Sequence, residues 1–301
     1  MADPTELVIT SAYLTALLIF VLGALFTFVR KRMESEKFIE SSNETSAIPS
    51  DDPIPPEVPL SKIPTWFYRP TDLLGIGFVY VLFFGLVINT VRISGEQEIV
   101  LGVRELVTTI GFQFASAAVV TFFVIFRIRP VEWLGLKWKN WPYAFAIAPI
   151  AVVSMWLFFG LLQVTGYMKW MESLGLDSVQ DTVKLLQEAK DPMILALMAG
   201  AAVIAAPICE EIIFRGYFYP ASKRFIGRSA AVVVSALVFA SAHGNLAALL
   251  PLFVFGCMLA MIYEKTGSIW APIAVHFCFN GATVALQMAA RYHGIPLDDS
   301  L

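Results

Sequence analysis

Four ionisable side chains lie within apolar stretches of the last third of this chain, where a charge is costly to bury. They are Glu210, Glu211, His243 and His276. A carboxylate beside an imidazole can take a proton from water. Imidazole and amide donors can stabilise the oxyanion that forms when that water attacks a carbonyl carbon. These residue types therefore indicate water activation and oxyanion stabilisation in an apolar setting.

Two adjacent carboxylates lie on one predicted helix. Arg215 follows Glu211 by four residues, so these two side chains share a helix face and can form an ion pair. Glu210 is rotated by about 100° from Glu211, given the 3.6-residue period, and must point elsewhere. The two carboxylates are therefore expected to face different surroundings.

Two other predicted helices carry the membrane histidines. His276 and Asn280 are four residues apart and face together, and Phe239 lies one turn before His243. Three helices are therefore expected to supply a carboxylate, an imidazole and an imidazole–amide pair. The third histidine, His293, lies in the polar C-terminal tail, and no function is predicted for it.

The composition places the chain in a membrane. Of its 301 residues, 57% are hydrophobic and 15% are charged, unlike a soluble globular protein. The net charge of -3 provides no basic surface, so no nucleic-acid partner is expected. The three cysteines, Cys209, Cys257 and Cys278, lie in apolar stretches without CxxC spacing and are expected to pack as core residues.

A membrane-spanning helix needs about 20 apolar residues, and eight stretches are candidates, two of them short. The candidates are 7–29, 72–91, 105–126, 141–163, 193–214, 229–243, 246–263 and 268–289. The predicted fold is therefore all-α, a polytopic membrane helix bundle with about eight transmembrane helices.

These stretches divide the chain into five predicted regions. An N-terminal transmembrane anchor, 1–32, precedes a Pro-rich, acidic cytosolic linker, 33–70. The linker is expected to be extended and to leave the first helix loosely tethered. The third region, 71–190, contains helices 2–4 and an outer amphipathic loop helix at 178–189. The core that carries the polar residues, 191–290, and a C-terminal tail, 291–301, follow.

The charges of the loops predict an orientation. With the N-terminus outside, the inner loops hold fifteen of the 21 Lys and Arg residues, in agreement with the positive-inside rule. The leader, Met1 to Glu6, has acidic but no basic residues, and Arg30 to Arg32 follow the first apolar run. That pattern describes an uncleaved anchor. An integral multi-pass protein with both termini outside is therefore expected.

Three short motifs occur in order along the predicted core. The stretch Cys209 to Gly216 contains EExxxR, Phe239 to His243 reads FxxxH, and His276 to Asn280 reads HxxxN. In these motifs the chain resembles the CAAX-protease and bacteriocin-processing (CPBP) family of intramembrane glutamic proteases, the type of the CAAX prenyl endopeptidases. The resemblance covers about 193–290, and residues before it match only as hydrophobic helices.

The resemblance implies a hydrolase, an intramembrane endopeptidase, and a role for each matching residue. Glu210 would act as the general base that activates water, assisted by His243. His276 and Asn280 would form the oxyanion hole. The supporting residues would be Glu211, Arg215 and Phe239.

Two other interpretations stay open. Glu210, His243 and His276 could hold Zn²⁺ with bound water as the nucleophile. HExxH is absent, and the metal-free version, which needs no cofactor, is favoured. A proton-coupled transporter could also use membrane Glu and His residues, but no paired halves with broken helices are evident. The expected partners are the lipid bilayer and a peptide or protein substrate, which can be lipidated or membrane-tethered.

Helix geometry leaves one disagreement. Counted from the predicted inner boundaries at 1.5 Å per residue, Glu210 lies about 8 Å deep, His276 about 12 Å and His243 about 21 Å. The three can meet only if helix 229–243 begins beyond the membrane surface, tilts strongly or has the wrong predicted start. We expect a site below the cytosolic surface, in a cavity open to that side.

Overall fold

The computed structural model describes residues 4–44, 62–94, 102–174, 185–186 and 189–293. Every regular element in these ranges is a helix, which confirms the all-α membrane bundle. The main helices are α1 (Pro4–Glu44), α2 (Asp72–Ser94), α3 (Val103–Ile125), α4 (Pro130–Trp133), α5 (Ala144–Val164), α6 (Tyr167–Ser173), α7 (Pro192–Ile226), α8 (Arg228–Ser241), α9 (Leu249–Thr266) and α10 (Trp270–Tyr292).

Within the described residues, seven helices are long and apolar enough to cross a membrane. The stretch expected at 229–243 is the exception, because α8 has only 14 residues. At 1.5 Å per residue it is about 21 Å long, shorter than the hydrocarbon core of about 30 Å. It is enclosed by α1, α2, α7 and α9, so most of its surface contacts protein.

The helix that carries both glutamates is longer than predicted. The expected end at 214 is wrong, since α7 continues to Ile226. Two of its stretches, Ala201–Ala205 and Glu211–Phe218, have the wider π-helical turn. Each is followed within two residues by a proline, Pro207 or Pro220, which has no N–H for the helical hydrogen-bond pattern.

The first helix is part of the bundle, which corrects the expectation of a loose tether. Tyr13 on α1 is fully buried, and its carbonyl accepts a hydrogen bond from Tyr80 on α2 at 2.6 Å. A Cβ at Gly23 would lie 3.0 Å from the side chain of Ile226, so α1 also packs closely on the end of α7. Helices with apolar faces all round can dock this way because tight packing is favourable in lipid.

The predicted linker, 33–70, is partly structured. Residues 33–44 continue α1, and Ile63, Phe67 and Tyr68 are buried in the core. Residues 45–61 lie outside the described ranges, so the extended conformation expected there stays a prediction.

The predicted outer helix, 178–189, also lies outside the described ranges except at 185, 186 and 189. Leu186 is buried against α3 and α7. Its carbonyl accepts a hydrogen bond from Arg291, at the end of α10, at 3.0 Å. Of the predicted tail, 291–301, only residues to His293 are described.

Gly135, shortly after α4, provides a test of the packing between loops. Its φ of +62° favours glycine, and a Cβ there would overlap the carbonyl oxygen of Gly267. Gly135→Ala is therefore expected to lower the free energy of unfolding by about 2–4 kcal/mol. Gly77→Ala, on α2 with nothing within 4 Å, is the control and should keep or slightly raise the melting temperature in detergent. Equal melting temperatures for the two variants would contradict this packing.

Candidate active site

The three motifs meet around the ring of Phe239, which is fully buried on α8. The guanidinium carbon of Arg215 lies 4.3 Å from the ring centroid, within cation–π range. The His243 ring contacts the Phe239 ring edge-on, with centroids 4.9 Å apart, and the His276 ring does so at 6.0 Å. One aromatic side chain therefore joins residues from α7, α8 and α10.

Glu211 is the centre of a buried charged cluster. Its Oε1 accepts a hydrogen bond from Arg215 Nη1 and lies 2.9 Å from Nδ1 of His276. The side chains of Glu211 and Arg215 are fully buried, and that of His276 is nearly so. Arg215 Nη2 also donates to the carbonyl of Gly256 at 3.1 Å. Glu211 thereby favours a proton on Nδ1 of His276 and leaves Nε2 as the nitrogen available to a substrate.

The contact between Glu211 and His276 was not predicted. The i,i+4 spacing predicted the pair of Glu211 with Arg215, and the motif linked His276 with Asn280. Glu211 and His276 are 65 residues apart, and no local periodicity relates them. The signal that could have found this pair was chemical, since a buried carboxylate and a buried imidazole both need a partner.

His243 lies in the turn after α8. Its Nδ1 is 2.8 Å from the carbonyl oxygen of Phe239, an acceptor, so Nδ1 carries a proton. In the neutral ring Nε2 then has a lone pair that can accept a hydrogen bond from water. This tautomer suits a residue that orients a water molecule.

Glu210 has a different environment from its neighbour. It is half-buried, whereas Glu211 is fully buried, and Oε2 of each carboxylate is buried without a hydrogen-bond partner in the described residues. The Glu210 carboxylate lies within electrostatic range of Arg215. A buried carboxylate oxygen without a partner is costly, and such groups are common at functional sites. Glu210 forms no hydrogen bond with His243 or His276 in the described residues, so a water molecule or substrate would have to connect them.

Asn280 makes a hydrogen bond that a proline on α7 cannot make. Its Nδ2 donates to the carbonyl of Ala202 at 2.8 Å. The N–H of Ala206 bonds to the carbonyl of Ala201, so in this wider register Ala202 would accept from residue 207. That residue is Pro207, which has no N–H. One amide N–H of Asn280 replaces the missing donor, and the second N–H is left for a substrate.

Glu210 and His243 were predicted at different depths because the sequence analysis ended α7 too early. Because α7 continues to Ile226, Glu210 lies about 24 Å from that end of the helix at 1.5 Å per residue. α8 rises about 20 Å from Arg228, at the neighbouring end, to Ser241, and His243 lies in the turn just beyond. The two residues are therefore at similar levels, and no strong tilt is needed.

The start of α10 is connected to α7 well before the end of that helix. The N–H of Ile269, just before α10, donates to the carbonyl of Leu134 at 2.9 Å. Trp133, the residue before Leu134, donates to the carbonyl of Gly216 on α7 at 2.7 Å. The start of α10 is therefore near Gly216, and the helical rise brings His276 to the level of Glu211.

The proposed zinc ligands do not form a metal-binding group. Among the described residues, no three His, Cys, Asp or Glu side chains come together in a way that could hold a metal ion. Nδ1 of His276 lies on the Glu211 carboxylate, and Oε2 of Glu210 has no hydrogen-bond partner in the described residues.

Comparison with known proteins agrees with the motifs. Residues 192–282 match the family described as type II CAAX prenyl endopeptidase Rce1-like. The family resemblance is confirmed for this segment. The Rce1-like segment contains α7, α8, the turn with His243, α9 and the first half of α10, and so includes every motif residue.

Two relatives match over this part of the chain. YdiL of Bacillus subtilis, named as a candidate membrane peptidase, is 34% identical over 92 residues, which are 31% of this chain and 38% of the relative. The membrane-embedded CAAX protease MroQ of Staphylococcus aureus is 32% identical over 91 residues, 28% of this chain and 37% of the relative. The chain thus spans less than two fifths of the length of the curated relatives it matches. No solved structure matches it significantly.

Proposed function

We propose that the protein is an intramembrane endopeptidase that hydrolyses peptide bonds near or within the bilayer. Glu210 with His243 activates water, and His276 with Asn280 stabilises the oxyanion. The observation that carries the proposal is the convergence of Arg215, His243 and His276 on Phe239. It brings residues of α7, the turn after α8 and α10 to one site, next to a Glu210 oxygen that has no hydrogen-bond partner in the described residues.

The reaction begins with a water molecule between Glu210 and His243. Glu210 takes one proton from the water, while Nε2 of His243 accepts a hydrogen bond from the other and orients it. The oxygen bonds to the peptide carbonyl carbon, and the carbonyl becomes a tetrahedral oxyanion. Breakdown of this intermediate cleaves the C–N bond, and the proton on Glu210 passes to the leaving amine.

Two donors stabilise the oxyanion. One amide N–H of Asn280 donates to the Ala202 carbonyl, and the other N–H is available to the oxyanion. The second donor is Nε2–H of His276 in its doubly protonated form. That form has Nδ1–H on the Glu211 carboxylate, whose charge compensates the imidazolium. Glu211, Arg215 and Phe239 thereby support the site without contacting the scissile bond.

The substrate is a peptide or protein held at the membrane. One relative is named a CAAX protease, which supports a lipidated or membrane-tethered substrate for this chain as well. The loop charges support an N-terminus and a C-terminus outside, with the active site open to the cytosolic side. No nucleic acid takes part.

The experiment is a comparison of membrane peptides from cells that express the natural chain or Glu210→Gln at equal levels. Peptides and new C-termini that depend on Glu210 are expected, and they identify the substrate. A Gly77→Ala strain controls for overexpression of a membrane protein. Identical peptide profiles for the natural chain and Glu210→Gln would end this proposal.

Removal of metal tests the zinc-dependent alternative. The metal-free mechanism predicts that purified protein contains zinc well below one ion per chain and keeps its cleavage rate within about twofold after chelation, because no step needs a Lewis acid. The measurements are elemental analysis and cleavage before and after dialysis against a chelator. Stoichiometric zinc with activity restored only by zinc would favour the alternative, with Glu210, His243 and His276 as ligands.

A further inference from the structure

One backbone carbonyl in α7, that of Gly216, accepts hydrogen bonds from two side chains. Trp133 Nε1 donates to this oxygen at 2.7 Å, and the Tyr68 hydroxyl donates to it at 3.1 Å.

The two donors are built into the core. Trp133 and Tyr68 are each at most 2% exposed, and the indole N–H also lies 3.2 Å from the Tyr68 oxygen. Burial raises the pKa of Tyr68 well above its usual range, so the phenol keeps the proton that it donates. A buried carbonyl without a donor costs free energy, and a second donor strengthens the constraint.

The carbonyl belongs to the part of α7 that carries the charged cluster. Gly216 follows Arg215 directly and lies in the same π-helical stretch as Glu211. A Cβ at Gly216 would lie 2.9 Å from the side chain of Leu134, so the approach is close. A shift of this stretch would move Glu211 relative to His276.

The segment after Trp133 also anchors the helix of His276. The Leu134 carbonyl accepts from the N–H of Ile269, and the Leu136 carbonyl accepts from Trp270 Nε1 at 3.3 Å. Tyr263, near the end of α9, donates to the Trp133 carbonyl at 3.2 Å. Four consecutive residues therefore connect α7, α9 and the start of α10.

We propose that Tyr68 and Trp133 are positioning residues of the cleavage reaction. By donating to the Gly216 carbonyl, they hold the π-helical stretch of α7 at the register in which Glu211 meets His276. Both residues lie outside the Rce1-like segment, so the site of this chain is completed by its own N-terminal half. The catalytic part of this proposal rests on the proposed function.

The first test removes each donor and keeps an aromatic side chain at the position. Tyr68→Phe and Trp133→Phe are each expected to lower kcat by about tenfold and change KM little, because a misplaced supporting shell impairs the reaction more than binding. Tyr80→Phe is the matched control. It removes a hydroxyl that donates to a helix carbonyl, but that carbonyl, on Tyr13, keeps its own helical donor. Its kcat should stay within about twofold of the natural value.

The second test uses the fact that both side chains donate to one oxygen. In the double variant Tyr68→Phe with Trp133→Phe, the losses of kcat should be non-additive, because the two donors share an acceptor. Strictly additive losses would mean that the two rings act through packing alone, and would overturn the proposal. A loss of thermal stability with unchanged kcat would overturn it as well.

A third measurement does not depend on activity. Cys209 is buried beside Glu210, and Cys257→Ala with Cys278→Ala leaves it as the single thiol of the chain. The rate at which a maleimide labels Cys209 should rise about tenfold in Tyr68→Phe and Trp133→Phe, and stay unchanged in Tyr80→Phe. Unchanged labelling in all three would contradict the positioning role. If Glu210→Gln leaves cleavage intact, the proposed function fails, and this rate still decides whether the two residues hold α7.

Discussion

Glu210→Gln is expected to lower the cleavage rate by about a thousandfold, since it removes the general base and keeps the size of the side chain. The protein should remain as stable as the natural chain or become slightly more stable. Oε2 of Glu210 is buried without a partner, and burial of a neutral amide costs less than burial of a carboxylate. Loss of function with no loss of stability distinguishes a catalytic residue from a structural one.

The measurement combines turnover of an identified substrate with thermal unfolding of the purified protein in detergent. Glu210→Gln should also leave thiol labelling of Cys209 unchanged, because the helix is not displaced. A variant that retains more than about a tenth of the natural rate would exclude Glu210 as the base.

Glu211→Gln is expected to give the opposite result for stability. The Arg215 guanidinium is fully buried. It donates a hydrogen bond to the Glu211 carboxylate, and the two groups form an ion pair. Removal of one partner of a buried ion pair costs about 3–5 kcal/mol, because the other charge is left uncompensated. Activity should fall by about a hundredfold in the fraction that stays folded, since His276 loses the carboxylate that stabilises its imidazolium.

A second substitution separates charge from shape. Glu211→Gln combined with Arg215→Met removes both charges and should recover most of the lost stability, since a buried ion pair can be replaced by apolar groups. The double variant should remain inactive, because His276 still lacks its carboxylate. The melting temperature should be lowest for Glu211→Gln, higher for the double variant and highest for the natural chain. If the single variant is as stable as the natural chain, Arg215 is not held by Glu211.

The sequence by itself determined the class of the protein and the chemical groups of its site. Hydrophobic runs fixed a helical membrane bundle, because the length of a spanning helix follows from the thickness of the hydrocarbon core. The four-residue spacing predicted the pair of Glu211 with Arg215, since neighbours on a helix face are set by local geometry. Three motifs in order indicated the Rce1-like segment, and the comparison confirmed that resemblance.

The tertiary structure decided how these helices are offset along their axes. In a membrane helix most faces are apolar, so hydrophobic periodicity does not show where a neighbour begins or which face it covers. This is why the ends of α7 and α8, the docking of α1 and the position of Glu210 relative to His243 were predicted wrongly or not at all. Contacts across the bundle, such as Glu211 with His276 and Trp133 with Gly216, depend on that offset. Each satisfies a buried polar group whose partner is distant in sequence, and only packing brings the two together.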